Sequence, residues 1–222
     1  LLFLPVDDFE ATKARVAEVF SSRFPYQYKG YSVHFSPPDA QDGGTRLRTE
    51  IKSGKVDPLI EYHTPCSFFE EYLDWNPDLE VSVQQWLAIS EQRFLGATSG
   101  RIFRDDLGIE ENRRKLSYFP RDVWLWLMAS QWKMIAEGEP FTGRCGSVGD
   151  ELGSRIVAAR QVQRLMRLCF LQEKRHAPYS KWLGTAFSRL SIAPRLIPVF
   201  EQVMNAIHWV ERDEYLGQAY TI

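Results

Sequence analysis

The feature that most restricts the fold is a change of hydrophobic period near Cys66. Before it, apolar residues come in short runs suited to strands, and after it they recur at helical spacing almost to the last residue. Leu1-Leu2-Phe3-Leu4 reads as a buried strand ended by Pro5, and Asp7 or Asp8 can cap a helix whose Phe9, Val16, Val19 and Phe20 lie largely on one face. Tyr31-Ser32-Val33-His34-Phe35 alternates in the strand period, and a polar loop runs from Pro37-Pro38 to Gly43-Gly44. Leu59-Ile60-Glu61-Tyr62-His63 is a second strand-like run, stopped by Pro65.

Helices are then expected over residues 68–73 and 83–95, followed by a strand-like Arg101-Ile102-Phe103-Arg104 before a turn at 105–108. The segment 120–136 starts at a proline suited to a first helical turn and is apolar almost all round, so it is expected at the centre of the fold. Trp124, Trp126 and Trp132 are accordingly read as core and not as a base-stacking platform. A glycine-rich loop at 143–149 opens the longest helix, which ends near Ala177-Pro178, and further helices run over 180–190 and from Pro198 to the end.

Composition narrows the class. With 44% hydrophobic residues in 222, the chain is long enough to bury a core, and 14 Gly, 12 Pro and 3 Cys exclude low-complexity and disulfide-scaffold architectures. Basic and acidic residues nearly balance, 27 against 29, so there is no global field for nucleic acid or an anionic membrane, and any anion site must be local. General nucleic-acid binding is not expected. Cys66, Cys145 and Cys169 lie far apart, with no Cys-x-x-Cys, which points to a reducing compartment. His34, His63, His176 and His208 show no zinc-type spacing. The most apolar stretch, 123–135, carries Gln131 and Lys133 and falls short of the roughly 20 residues of a membrane span, so a cytoplasmic location without membrane contact is expected.

Four places could carry chemistry. On the strand at 60–63, Glu61 and His63 share one face; they either line the solvent side of an edge strand or present a carboxylate to magnesium, which takes oxygen ligands. On the long helix, Arg160, Arg164, Arg167 and Lys174 fall in one sector at about 100° per residue, opposite Ala158, Val162, Leu165, Met166 and Cys169. That stripe is either a solvated face of snorkelling side chains or an anion-facing wall of guanidinium groups. The glycine loop at 143–149 lacks a P-loop ending, and the acidic Asp150 and Glu151 that follow would repel phosphate, so it is read as a structural turn with Ser147 as cap. At His176-Ala177-Pro178-Tyr179-Ser180-Lys181-Trp182, a restricted turn joins two helices, with Ser180 able to cap the second. It is either a plain corner with Trp182 in the core, or a source of two hydroxyls and an ammonium for a phosphate chain.

The runs Leu116-Ser117-Tyr118-Phe119-Pro120-Arg121-Asp122-Val123-Trp124, Gly149-Asp150-Glu151-Leu152-Gly153-Ser154-Arg155 with Ala158-Ala159-Arg160, Leu165-Met166-Arg167-Leu168 and Ala177-Pro178-Tyr179-Ser180-Lys181-Trp182-Leu183-Gly184 together resemble one family. It is domain of unknown function 4037, which occurs with nucleotidyltransferase-type domains of the polymerase-beta superfamily. The resemblance covers most of the chain from about Trp86 onward. It implies an α+β fold: residues 1–105 as the C-terminal part of a nucleotidyltransferase-like domain with a small mixed sheet, and residues 106–222 as a mostly α-helical bundle closing over a nucleotide cleft. It further implies transfer of a nucleoside monophosphate from an NTP to a hydroxyl of an unknown small-molecule or macromolecular acceptor, with carboxylates holding Mg2+.

The superfamily's Gly-Ser turn and Asp-x-Asp pair are not in this sequence and are expected just upstream of Leu1. The chain is therefore expected to be an internal piece, inactive alone, in which Glu61 is the remaining catalytic and metal-binding carboxylate. Tyr179, Ser180 and Lys181 are the implied phosphate ligands, with Arg160 and Arg167 facing the triphosphate. The alternative is a non-catalytic helical interaction module on a degenerate nucleotidyltransferase scaffold.

Overall fold

In a computed structural model, residues 1–49 and 54–222 are described. The first strand, β1 (Leu2–Phe3), is followed by α1 (Phe9–Arg23), a hairpin of β2 (Gln27–Tyr28) and β3 (Tyr31–Ser32), and β4 (Tyr62–His63). β4 returns to lie parallel to β1, with Leu2 opposite Tyr62 and Phe3 opposite His63. A parallel pair needs a long crossover, and the α1 segment supplies it. The hairpin turns at Lys29 and Gly30, both at positive φ (50° and 83°), the backbone that matches strand twist in a two-residue loop.

Three strand expectations shrink. The run at 31–35 pairs only at Tyr31 and Ser32, while Phe35 makes an isolated bridge to Leu47. The run at 59–63 is extended only at its end, because Leu59 takes a positive φ of 52° that interrupts the strand. Residues 101–104 are irregular. In place of one small mixed sheet, the described residues form two separate two-stranded sheets, one parallel and one antiparallel, in an α+β chain that is mostly helical. Asp8 does precede α1, but with φ 56° and no side-chain cap bond, and α1 contains no buried residue, so its expected apolar face is only half-covered.

α2 (Pro65–Leu73) starts with a reciprocal capping box: Thr64 Oγ1 accepts from Ser67 N, and Ser67 Oγ accepts from Thr64 N. It sets Phe68 edge-on to Phe3 at 5.3 Å between ring centroids and Phe69 edge-on to Trp75 at the same distance. Contacts divide the chain into two units, Leu1–Glu80 with Ile102–Asn112, and Val81–Arg101 with Arg113–Ile222. The segment Val81–Arg101 packs with the helical unit.

The elements after α2 are α3 (Val83–Ala88), α4 (Glu91–Thr98), α5 (Ile109–Lys115), α6 (Arg121–Gly138), α7 (Phe141–Ser147), α8 (Glu151–Gln172), α9 (Ser180–Phe187), α10 (Ala193–Asn205) and α11 (Trp209–Thr221). The helix expected over 83–95 is two, because Ser82 caps the first and the chain is extended at Ile89 and Ser90 before the second. Pro198 lies inside α10 and does not begin it; the break before the last helix falls at 206–208.

The central helix is α8 and not α6. Ala158, Val162, Leu165, Leu168 and Cys169 of α8 join Leu183, Phe187, Leu196, Phe200, Val203 and Leu216 in the main core. α6 lies along one side of α8, antiparallel to it. Trp124 Nε1 donates to the Leu171 carbonyl (2.8 Å), Gln131 Nε2 to the Arg164 carbonyl (2.9 Å), and Gln161 Nε2 to the Ile135 carbonyl (2.8 Å). Its other side is open: Trp126 is 58% and Trp132 46% exposed, so these two of the three tryptophans expected as core are not, whereas Trp124 is half-buried against α8. An all-round apolar sequence does not say which side meets a neighbour.

Residues 141–147 form α7 where a loop was expected. A Cβ on Gly146 would overlap the Trp209 indole, so glycine there permits close approach of α11. The turn falls at Gly149 (φ 86°), and Asp150, not Ser147, caps α8 by accepting from Gly153 N at 2.7 Å. Beyond it, Arg212 of α11 is fully buried and donates to Glu151 Oε2 (3.1 Å), Ser154 Oγ (2.8 Å) and the Ala206 carbonyl (2.9 Å). No helix of the described residues is long and apolar enough to cross a membrane.

Candidate functional site

The polar groups of the helical unit converge where the turn between α8 and α9 meets the first turn of α4. Pro178 has no N–H, and the residues beside it, Ala177 and Tyr179, precede α9 with backbone donors left over from any helix. α4 supplies their acceptors: Ala177 N donates to Glu91 Oε2 at 2.8 Å and Tyr179 N to Gln92 Oε1 at 3.2 Å. Arg167, projecting from α8, brings its Nη1 to 3.7 Å from Glu91 Oε1.

His176 closes the back of this corner. Its side chain is 2% exposed, between the rings of Phe94 (5.1 Å between centroids, stacked), Phe119 (4.8 Å) and Tyr118 (5.1 Å). Nε2 lies 3.4 Å from the Leu116 carbonyl, and since a carbonyl only accepts, that contact puts the proton on Nε2. Nδ1 then faces Glu91 Oε2 at 3.9 Å with no hydrogen-bond partner.

The electrostatics follow from burial. Burial lowers the His176 pKa to about 4, against the weaker opposing pull of the Leu116 carbonyl, so the ring is neutral. Burial also raises the Glu91 carboxyl, although Ala177 N–H and Arg167 both favour its charge. The two directions agree, because an imidazole lone pair facing a carboxylate is relieved when the carboxyl holds a proton. Tyr118 is raised by burial first and by the Glu91 charge second.

The residues singled out from the sequence fall into three groups. Arg167 and the Tyr179 backbone belong to the corner, and Ser180 and Lys181 follow on the exposed start of α9, where Lys181 Nζ sits 5.1 Å over the Trp182 ring. Ser180 does not cap α9, whose N-cap is Tyr179 without a side-chain bond, and Trp182 is exposed and not core filler. Arg160 stands apart, exposed and two turns up α8 from Arg167, about 10 Å along the axis. Glu61 belongs to the other unit: its side chain is exposed just before β4, and its carbonyl accepts from Leu2 N at 2.9 Å. His63 packs against the Phe68 ring at 5.6 Å.

Much of the basic stripe is engaged structurally. Arg164 Nη1 donates to the Met134 carbonyl (2.7 Å) and Gln161 Oε1 (2.9 Å), and Lys174 lies 4.7 Å over Trp124. Among the described residues no group of three His, Cys, Asp or Glu side chains could hold a metal ion. Magnesium takes about six oxygen ligands, so Glu61 alone does not make a centre for it.

The stretch that builds this corner, from Trp86 through α4, Tyr118 and α8 to Leu183, is also the stretch that carries a family likeness. Residues 86–183 match the family described as "Domain of unknown function (DUF4037)". The matched segment contains Glu91, Arg160, Arg167, His176, Tyr179, Ser180 and Lys181, whereas Glu61 lies outside it. No curated protein and no solved structure matches the chain significantly.

Sequence reasoning missed Glu91 and Gln92. Ser90 followed by Glu91 is a legible helix start, but nothing local indicates that the glutamate meets an N–H 86 residues away.

Proposed function

We propose that the chain is part of a nucleotidyltransferase-like protein whose DUF4037 segment grips the triphosphate of an NTP, for transfer of the nucleoside monophosphate to a hydroxyl acceptor. Arg167 and the backbone N–H groups of Ala177 and Tyr179 would hold phosphoryl oxygens, Ser180 and Lys181 would add a hydroxyl and an ammonium from the start of α9, and Arg160 would meet the chain further along α8. The observation that supports this most is the corner itself: two N–H groups and a guanidinium already converge on oxygen atoms, those of Glu91 and Gln92. Such donors stabilise charge on transferring phosphoryl groups without reorganising during reaction. In this proposal Glu61 contributes one carboxylate to a magnesium site that needs more carboxylates than the described residues bring together. A cytoplasmic setting belongs to the same proposal, on three free cysteines.

Competition binding tests it. Inorganic tripolyphosphate should displace labelled ATP from the protein while AMP should not; displacement by AMP but not by tripolyphosphate would place recognition on the nucleoside and end the proposal.

A second reading, a non-catalytic interaction module, draws on one observation. Leu125, Ala129, Trp132 and Ala136 form an apolar stripe along the exposed side of α6. Under that reading ATP does not bind, and amide hydrogen exchange along α6 slows when the protein is in its native assembly.

A further inference from the structure

The α8–α9 corner already contains an anion. Glu91 takes the Ala177 N–H and stands beside Arg167, and Gln92 takes the Tyr179 N–H, so the first turn of α4 uses the same donors that a phosphate would need. Two further features set Glu91 apart from an ordinary surface ion pair. Burial disfavours its charge, and its carboxylate confronts the lone pair of His176 Nδ1. The buried Nδ1 finds no partner in this arrangement, although a ligand hydroxyl or a bound water could satisfy it.

We infer that Glu91 and Gln92 are an internal stand-in for a phosphate group, an autoinhibitory contact in which the start of α4 must leave the corner before a polyphosphate can enter. The inference rests on the phosphate-binding reading given above and concerns the regulation of that same site. Retention of Glu91 favours the closed corner, and binding of a polyphosphate favours the open one, so the two compete for Arg167 and for the N–H groups of Ala177 and Tyr179. A ligand shifts such an equilibrium only by its differential affinity for the two states, and removing the internal anion removes the competitor.

The test is calorimetric titration with sodium tripolyphosphate of the wild-type protein, Glu91→Ala and Glu91→Gln, with Arg167→Ala added to the alanine variant. Glu91→Ala is expected to bind at least tenfold more tightly than wild type. Glu91→Gln, which keeps an acceptor for Ala177 N–H but loses the charge, should fall between them, and the added Arg167→Ala should abolish the gain. Equal binding by wild type and both Glu91 variants would overturn the stand-in while leaving the phosphate site intact; no binding by any of them would overturn both. Glu91→Gln preserves the shape of the corner, so a folding defect in the alanine variant would still leave the glutamine comparison decisive.

Discussion

His176 Nδ1 faces Glu91 Oε2 across 3.9 Å, a buried neutral imidazole set against a half-buried carboxyl. The histidine alone gives the helical unit an acid sensitivity whose sign can be worked out. Its pKa is about 4 in the fold against an ordinary value of 6.5, so between those values the unfolded chain binds more protons and stability falls as pH drops. The full window corresponds to about 3 kcal/mol. Glu91 works in the opposite sense: its raised folded pKa makes the native state bind more protons just above 4.5, and that contribution is lost as pH rises through the window. Melting temperatures between pH 7 and pH 5 should fall in the wild type and fall less in His176→Phe; equal slopes would show that His176 does not carry the effect.

Arg212 should be the most sensitive polar position of the helical unit. It is fully buried, and truncation to alanine would leave Ser154 Oγ and the Ala206 carbonyl without this donor, while Glu151 would keep only the Trp209 N–H. Leaving a buried acceptor without its donor costs about 1–3 kcal/mol. Urea denaturation of Arg212→Ala checks this, and a midpoint equal to wild type would mean that α11 is not pinned to α8 in this way.

Two glycines of α7 should respond oppositely to alanine. At Gly146 the new methyl would overlap Trp209, and overpacking of this kind costs about 1–3 kcal/mol. At Gly143 the nearest atom is Asp213 Oδ2 at 3.4 Å, which leaves room, so helix propensity should dominate with a gain of up to about 1 kcal/mol. Thermal melts of the two variants should move in opposite directions.

What the sequence revealed depended on how local the cause was. The period change at Cys66, the proline start of α6 and the place of α8 as the longest helix are written in consecutive residues, and each was legible, although α8 ends at Gln172 and not near Pro178. The break inside 83–95, between a helix capped by Ser82 and one preceded by Ser90, was concealed by a continuous apolar pattern. The choice of α8 over α6 as the central helix could not be read, because Leu125, Trp126 and Trp132 look like core residues until a neighbour's position is known. The same holds for the candidate site. Arg167 and Tyr179 stood out by their chemistry, whereas Glu91 acquires meaning only from the chain returning to it at Ala177.

Whether the start of α9 and the outer face of α8 hold a nucleotide's triphosphate, as proposed, is tested most directly by the affinity of the protein for magnesium ATP and magnesium GTP when Lys181 and Arg160 are changed. Both side chains are exposed, so alanine at either position should leave the melting temperature unchanged. Lys181→Ala and Arg160→Ala should each weaken binding severalfold, roughly 1 kcal/mol or more apiece for a charge-assisted contact. Unchanged affinity in both variants would contradict a triphosphate site there.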